Sequence, residues 1–177
     1  MRKYFLFFLI TVFSFQLIAQ ENKLQLKSGN TFLNSDLQVN TSNHLNYYFI
    51  LFNAMPTSAI KSKIEAEGIQ ILEYIPKNTF VVSVPKNTNT SELAIYGVSA
   101  VSLIKGAHKI DPKIQNNTFP DWAVNNGKLS VKVLFYKNAD ISITQELFKS
   151  YDYKIIDVNA FSNSITLEID QIGRAHV

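Results

Sequence analysis

The feature that most constrains this chain is an order of apolar runs, strand, helix, strand, strand, that occurs twice. Asn46-Tyr47-Tyr48-Phe49-Ile50-Leu51-Phe52 is an aromatic and β-branched run of strand length, too short for a helix and bounded by Asn53 and Pro56. It reads as a buried central strand. Pro56-Thr57-Ser58 opens a helix through Glu67, with hydroxyl caps at its start, Ile60 and Ile64 on one face, and Gly68 placed for a left-handed stop. That face must cover a sheet. Ile69 to Ile75 and Thr79 to Val84 form a hairpin about Pro76-Lys77-Asn78. Asn89-Thr90-Ser91-Glu92 is a capping-box-like start for a short helix ending near Gly97, and Val98 to Ile104 supplies one more strand.

The order β-α-β-β-α-β over 46–104 predicts a ferredoxin-like unit, with Tyr48, Ile50, Ile60, Ile64, Val82 and Leu103 among its core residues. The pattern then repeats. Leu129 to Tyr136 is a strand, Ser142 begins a helix with Gln145 at the capping-box position, and Leu147, Phe148 and Tyr151 form its apolar face. Tyr153 to Val158 and Ser164 to Ile169 make a further hairpin. An offset of 83 residues aligns Phe52 with Phe135, and one of 85 aligns Phe80 with Ile165, the mark of an internal duplication. The fold class expected is therefore α+β: tandem ferredoxin-like units, the second (128–170) truncated after its third strand, which leaves a sheet edge without its last strand. Residues 105–127, punctuated by Pro112, Pro120 and Gly127, read as a linker, and 20–45 as a polar lead-in with at most one short strand around Leu24 to Lys27.

Both ends are expected to lie outside the fold. Residues 1–19, with Arg2-Lys3, an apolar run from Tyr4 to Phe15 and the small Ala19, have the charged, hydrophobic and small-residue order of a secretory signal peptide. Export to the bacterial envelope or medium is the consequence, with no membrane association after cleavage. Ile172-Gly173-Arg174-Ala175-His176-Val177 can be encoded by ATC GGA AGA GCA CAC GTC, the string of a common sequencing-library adapter, so 171–177 are expected to be a cloning or assembly scar and Asp170 the last residue of the gene before it.

Setting aside Arg2, Lys3 and Arg174, cations and anions balance at 14 each, against any nucleic-acid or anionic-membrane partner. With no cysteine there are no disulfides, thiolate metal sites or cysteine nucleophiles. His44 and His108 stand alone in polar surroundings, the glycines are too far apart for a phosphate cradle, and Glu65 and Glu67 point to different sides of one helix. The aromatic residues of 47–52 fit a buried strand better than a base-stacking platform. Trp122, in Phe119-Pro120-Asp121-Trp122-Ala123, is expected to pack between the two units. No catalytic, cofactor-binding or metal-ligating residue is assigned, and no cofactor is expected.

Taken together, the signal, the unit bearing Thr79-Phe80-Val81-Val82-Ser83-Val84-Pro85, and the segments Lys109-Ile110-Asp111-Pro112-Lys113-Ile114 and Pro120-Asp121-Trp122-Ala123 resemble the N-terminal region of secreted bacterial subtilisin-like serine proteases with a fervidolysin-like prodomain. The resemblance runs from about Leu24 to Asp170. It implies a prosegment that assists folding of, and inhibits, a downstream subtilisin-like catalytic domain of the same polypeptide. The Asp, His and Ser of that domain would lie beyond Asp170, so the chain as given is expected to be no enzyme. A sheet with both helices on one side would offer its other face to that partner. The alternative is a noncatalytic α+β binding module of a secreted or cell-surface adhesin. A subtilisin-like domain further along the same reading frame would mark the prosegment, and further repeats or an anchoring domain would mark the adhesin.

Overall fold

The computed structural model describes residues 22–33, 37 and 46–170. The expected leader, the tail at 171–177, His44 and much of the lead-in lie outside the described residues. The described chain is α+β, with two four-stranded antiparallel sheets, a two-stranded hairpin and few helices. In chain order the elements are β1 (Lys23–Leu26), β2 (Gly29–Phe32), β3 (Asn46–Phe52), α1 (Ser58–Ala66), β4 (Gln70–Ile75), β5 (Thr79–Val84), a 3-10 helix (Thr90–Tyr96) and β6 (Val98–Leu103). Beyond them come α2 (Gly106–Lys109), α3 (Pro112–Gln115), a 3-10 turn (Asp121–Ala123), β7 (Val124–Asn125), β8 (Lys128–Leu134), α4 (Ile141–Ser150), β9 (Lys154–Asn159) and β10 (Ser164–Asp170).

The first sheet runs β4-β5-β3-β6, every pair antiparallel. Its two inner strands are the two most apolar runs of the segment, and all six residues of β5 are buried. Local chemistry sets the connections. The Thr57 hydroxyl accepts from the Ile60 N–H at the start of α1, and Gly68 stops the helix at φ +83°, where an added Cβ would sit 3.2 Å from Pro85 Cγ. The second helix is of 3-10 type. Asn89 accepts from the Ser91 N–H and donates to the Glu92 carboxylate, tying its first turn on itself, and Gly97 ends it at φ +81°.

The sheet has two covered faces. On one, Tyr48, Ile50, Phe52 and Val82 pack with Ile64 of α1 and Leu93 of the 3-10 helix, and Ile60 is partly buried against them. Leu103 departs from expectation: it lies at the far end of edge strand β6 and is 43% exposed. On the other face Phe49, Leu51, Val81 and Ala100 are covered by Leu24 and Leu33 of the lead-in and by Ile104. The lead-in thus supplies two strands rather than one at most. They pair from Lys23↔Phe32 to Leu26↔Gly29, and the sheet face expected to be open to a partner is closed by the chain itself. The Gly29-Asn30-Thr31-Phe32 strand shows no apolar alternation, which is why it escapes a periodicity reading.

Residues 105–127 are not a bare linker. Asp111 caps α3 by accepting from the Lys113 N–H, Pro112 sits at its first position, and β7 turns back through Asn126 and Gly127, both at positive φ, in an Asn-Gly hairpin. The second sheet therefore runs β7-β8-β10-β9. Strand β7 occupies part of the edge expected to lack a strand, pairing only Val124↔Leu129 and Asn125↔Lys128. Asp140 rather than Ser142 caps α4, accepting from the Ser142 and Ile143 N–H groups. No residue of α4 is buried. Of its expected apolar face only Phe148 turns inward, between Phe135 and Tyr153, while Leu147 and Tyr151 stay exposed.

The two sheets meet through a small set of groups. The Tyr47 and Tyr136 rings lie 4.5 Å apart. Asn138 donates to Gln70 Oε1 and Ser83 Oγ, each at 2.9 Å, and accepts from the Tyr47 hydroxyl at 3.3 Å.

Candidate functional site

Among the described residues, two of the concavities bring polar and aromatic groups together. The larger, about 650 Å³, opens at the end of the second sheet, where α4 leaves the strands incompletely covered. Val131, Leu167 and Ile169 floor it, and Phe148, Tyr151 and Tyr153 wall it. Both of its lysines are paired: Lys154 Nζ lies 2.9 Å from Glu168 Oε1, and Lys128 Nζ lies 3.8 Å from Glu168 and 3.6 Å from Asp170, while Asp152 adds a further carboxylate to the lining. Glu168 is held below the usual carboxylate range chiefly by the hydrogen bond from Lys154. With both lysines already paired, the apolar and aromatic lining favours apolar and aromatic side chains over a free anion.

The smaller cavity, about 270 Å³, lies against the outer face of the first sheet between Phe49, Val81, Ile104, His108, Leu134 and Tyr136. His108 is the imidazole of its lining. The imidazole packs on Phe49 with ring centres 5.7 Å apart, its Nε2 is 3.3 Å from Thr31 Oγ1, and its Nδ1 accepts from the Lys105 N–H at 3.1 Å. Because Nδ1 accepts, the neutral ring carries its proton on Nε2 and donates it to Thr31. That polarity is the reverse of a hydrolytic dyad, in which Nδ1–H is held by an acid and Nε2 takes the hydroxyl proton. Burial, and secondarily Lys105, lowers the His108 pKa, so the neutral form is favoured.

The other residues weighed from sequence are dispersed. Glu67 accepts from the Tyr96 hydroxyl at 2.7 Å, tying α1 to the 3-10 helix, and forms no pair with Glu65. Tyr48 and Phe52 face one core while Phe49 faces the other, so no stacking platform exists. Trp122 does not pack between the units; it is 84% exposed, and the small Ala123 beside it is buried instead. No group of three metal-ligating residues occurs among the described residues. Asn138, the polar hub between the sheets, had no signal beyond a loop-forming Lys137-Asn138-Ala139-Asp140.

The fold and its clefts define an α+β protein with a cleft lined by aromatic side chains, lysines and carboxylates. A family model described as Domain of unknown function (DUF8729) matches residues 13–105, more than half of the chain, and the protein belongs to that family. The match takes in both the hairpin and the first sheet. No curated protein and no solved structure matches the chain.

Proposed function

We propose that this chain is the prosegment of a secreted subtilisin-like serine protease, a folding assistant and inhibitor for a catalytic domain of the same polypeptide, exported by the leader at 1–19. The β-α-β-β-helix-β order of the first unit, with its last strand beside its first, supports a ferredoxin-like reading, and the β8-α4-β9-β10 order supports a second, incomplete copy. One observation carries the functional reading. The first sheet is covered on both faces, whereas residues 122–161 expose Trp122, Leu134, Ile143, Leu147, Tyr151 and Phe161, with Tyr151 lining the larger cleft. Apolar surface of that density is what a protein-docking region presents, and a surface that binds only the folded partner stabilises it by mass action. The docking region of this reading is thus the second unit, not the outer face of the first sheet. The fragment by itself carries no peptidase activity in this reading.

Genomic sequence past the Asp170 codon, read together with the N-terminus of the secreted product, tests the proposal. The expected result is a mature start at Gln20 or Glu21, and in-frame continuation through a helix and strand into a domain with separated Asp, His and Ser motifs. Continuation into repeats or an anchor would favour the adhesin module instead. A genuine stop codon there would defeat the prosegment reading.

A further inference from the structure

We infer that His108 is a proton-operated latch that holds the β1–β2 hairpin over the outer face of the first sheet and lets it go when the imidazole becomes charged. The inference is independent of the prosegment reading. Its basis is the position of one ring between three elements. His108 sits on α2, stacks on Phe49 of β3, and reaches β2 through Thr31, while its backbone carbonyl accepts from Ser28 Oγ in the hairpin turn at 3.1 Å. The Nδ1 atom closes α2 by accepting from the Lys105 N–H, the part a Glu or Gln plays in a capping box. A charged imidazole has two N–H donors and no acceptor, so the second proton must displace the Lys105 N–H and swing the ring out of its seat. With the ring go the Thr31 contact and the packing on Phe49.

The charge of Lys105 favours release. Lys105 and Lys109 flank the ring on α2, and Lys109 Nζ is 5.9 Å from the centre of the Tyr47 ring. Glu73, Leu134 and Tyr136 line the same cavity, Glu73 being its one carboxylate, and Lys27 of the hairpin turn is paired with Asp111 at 2.9 Å. Asp111 is held below the usual carboxylate range by the Lys113 N–H first and Lys27 second. It therefore stays ionised where imidazole titrates, so the exposed Lys27–Asp111 pair adds no pH dependence of its own in that window. Since the folded state lowers the His108 pKa, the latch contributes fully above the ordinary imidazole value of about 6.5 and is lost as pH falls through the lower folded value. Opening uncovers Phe49, Leu51 and Val81, an apolar sheet face otherwise closed to partners.

Amide exchange of the full chain at about pH 7.5 and about pH 5, corrected for intrinsic exchange, reads the latch directly. Protection over residues 23–32 is expected to fall severalfold more than protection in β5. His108→Asn keeps an acceptor for the Lys105 N–H and cannot charge, so its hairpin protection should not change with pH. The same pH-dependent loss in that variant would overturn the inference. Should the variant not fold, nitrogen-resolved NMR titration of the unaltered chain decides. An Nε2–H tautomer with a pKa below the ordinary value upholds the latch, while an Nδ1–H tautomer or a pKa at or above that value overturns it.

Discussion

At the scale of single residues, apolar positions on two helices carry different energetics. Ile64 on α1 and Ile143 on α4 are both apolar positions on helices that come after a first strand, but Ile64 is wholly buried and Ile143 is 69% exposed. Ile64→Ala should cost about 2–5 kcal/mol, from lost burial and the cavity left behind, and Ile64→Asp more, because an unpaired carboxylate would replace the methyl groups. Ile143→Ala should stay within about 0.5 kcal/mol. Urea unfolding of the two alanine variants checks the contrast, and equal midpoints would mean that α1 is not the cover of the first sheet. The core positions Tyr48, Ile50, Ile64 and Val82 were legible because alternation and helical spacing fix which face they share. Leu103 was not, since an alternation pattern does not tell where along an edge strand the cover stops.

At the scale of elements, the β1–β2 hairpin is the unexpected one. A two-stranded hairpin is marginal by itself in water, so this one depends on what it covers. Leu24, nearly fully buried against Phe49 and Val81, is its anchor, whereas Phe32 at the end of β2 is largely exposed. Leu24→Ala should therefore shift the urea midpoint by an amount equivalent to about 2–4 kcal/mol, and Phe32→Ala should leave it in place. No shift for Leu24→Ala would mean that the hairpin stands outside the cooperative unit. The short elements of 105–127 escape a sequence reading for a related reason. The Asp111-Pro112 cap and the Asn126-Gly127 turn are explicit local signals, but runs of two to four residues carry too little periodicity to be recognised without the sheet they join.

At the scale of the whole molecule, the joint between the two sheets rests on Asn138 and the Tyr47–Tyr136 pair rather than on a broad apolar interface. Asn138 reaches three first-unit residues, Gln70, Ser83 and Tyr47, so its loss breaks several bonds together. Asn138→Ala should cost about 1 kcal/mol. Combined with Ser83→Ala it should be non-additive by about 0.5 kcal/mol or more, as expected of residues in direct contact. Calorimetry of the single variant should show the unfolding transition broaden or split as the sheets uncouple. Additive effects and an unchanged transition would mean that the units are held together elsewhere.

The sequence alone determined which segments of 46–104 and 128–170 are strands and helices, the apolar runs that bury β3 and β5, and the absence of cysteine chemistry, because these depend on short-range periodicity, capping and composition. Only the tertiary structure decided that the β1–β2 hairpin lies over the first sheet, that β7 takes part of the second sheet's edge, that Trp122 is left in solvent, and that His108 is seated between hairpin and sheet. Each of those is a contact between residues far apart in the chain, made where an apolar surface left by one element is covered by whatever polypeptide can reach it. Such a choice depends on loop reach and on competing partners rather than on any local pattern, so no window of sequence contains it.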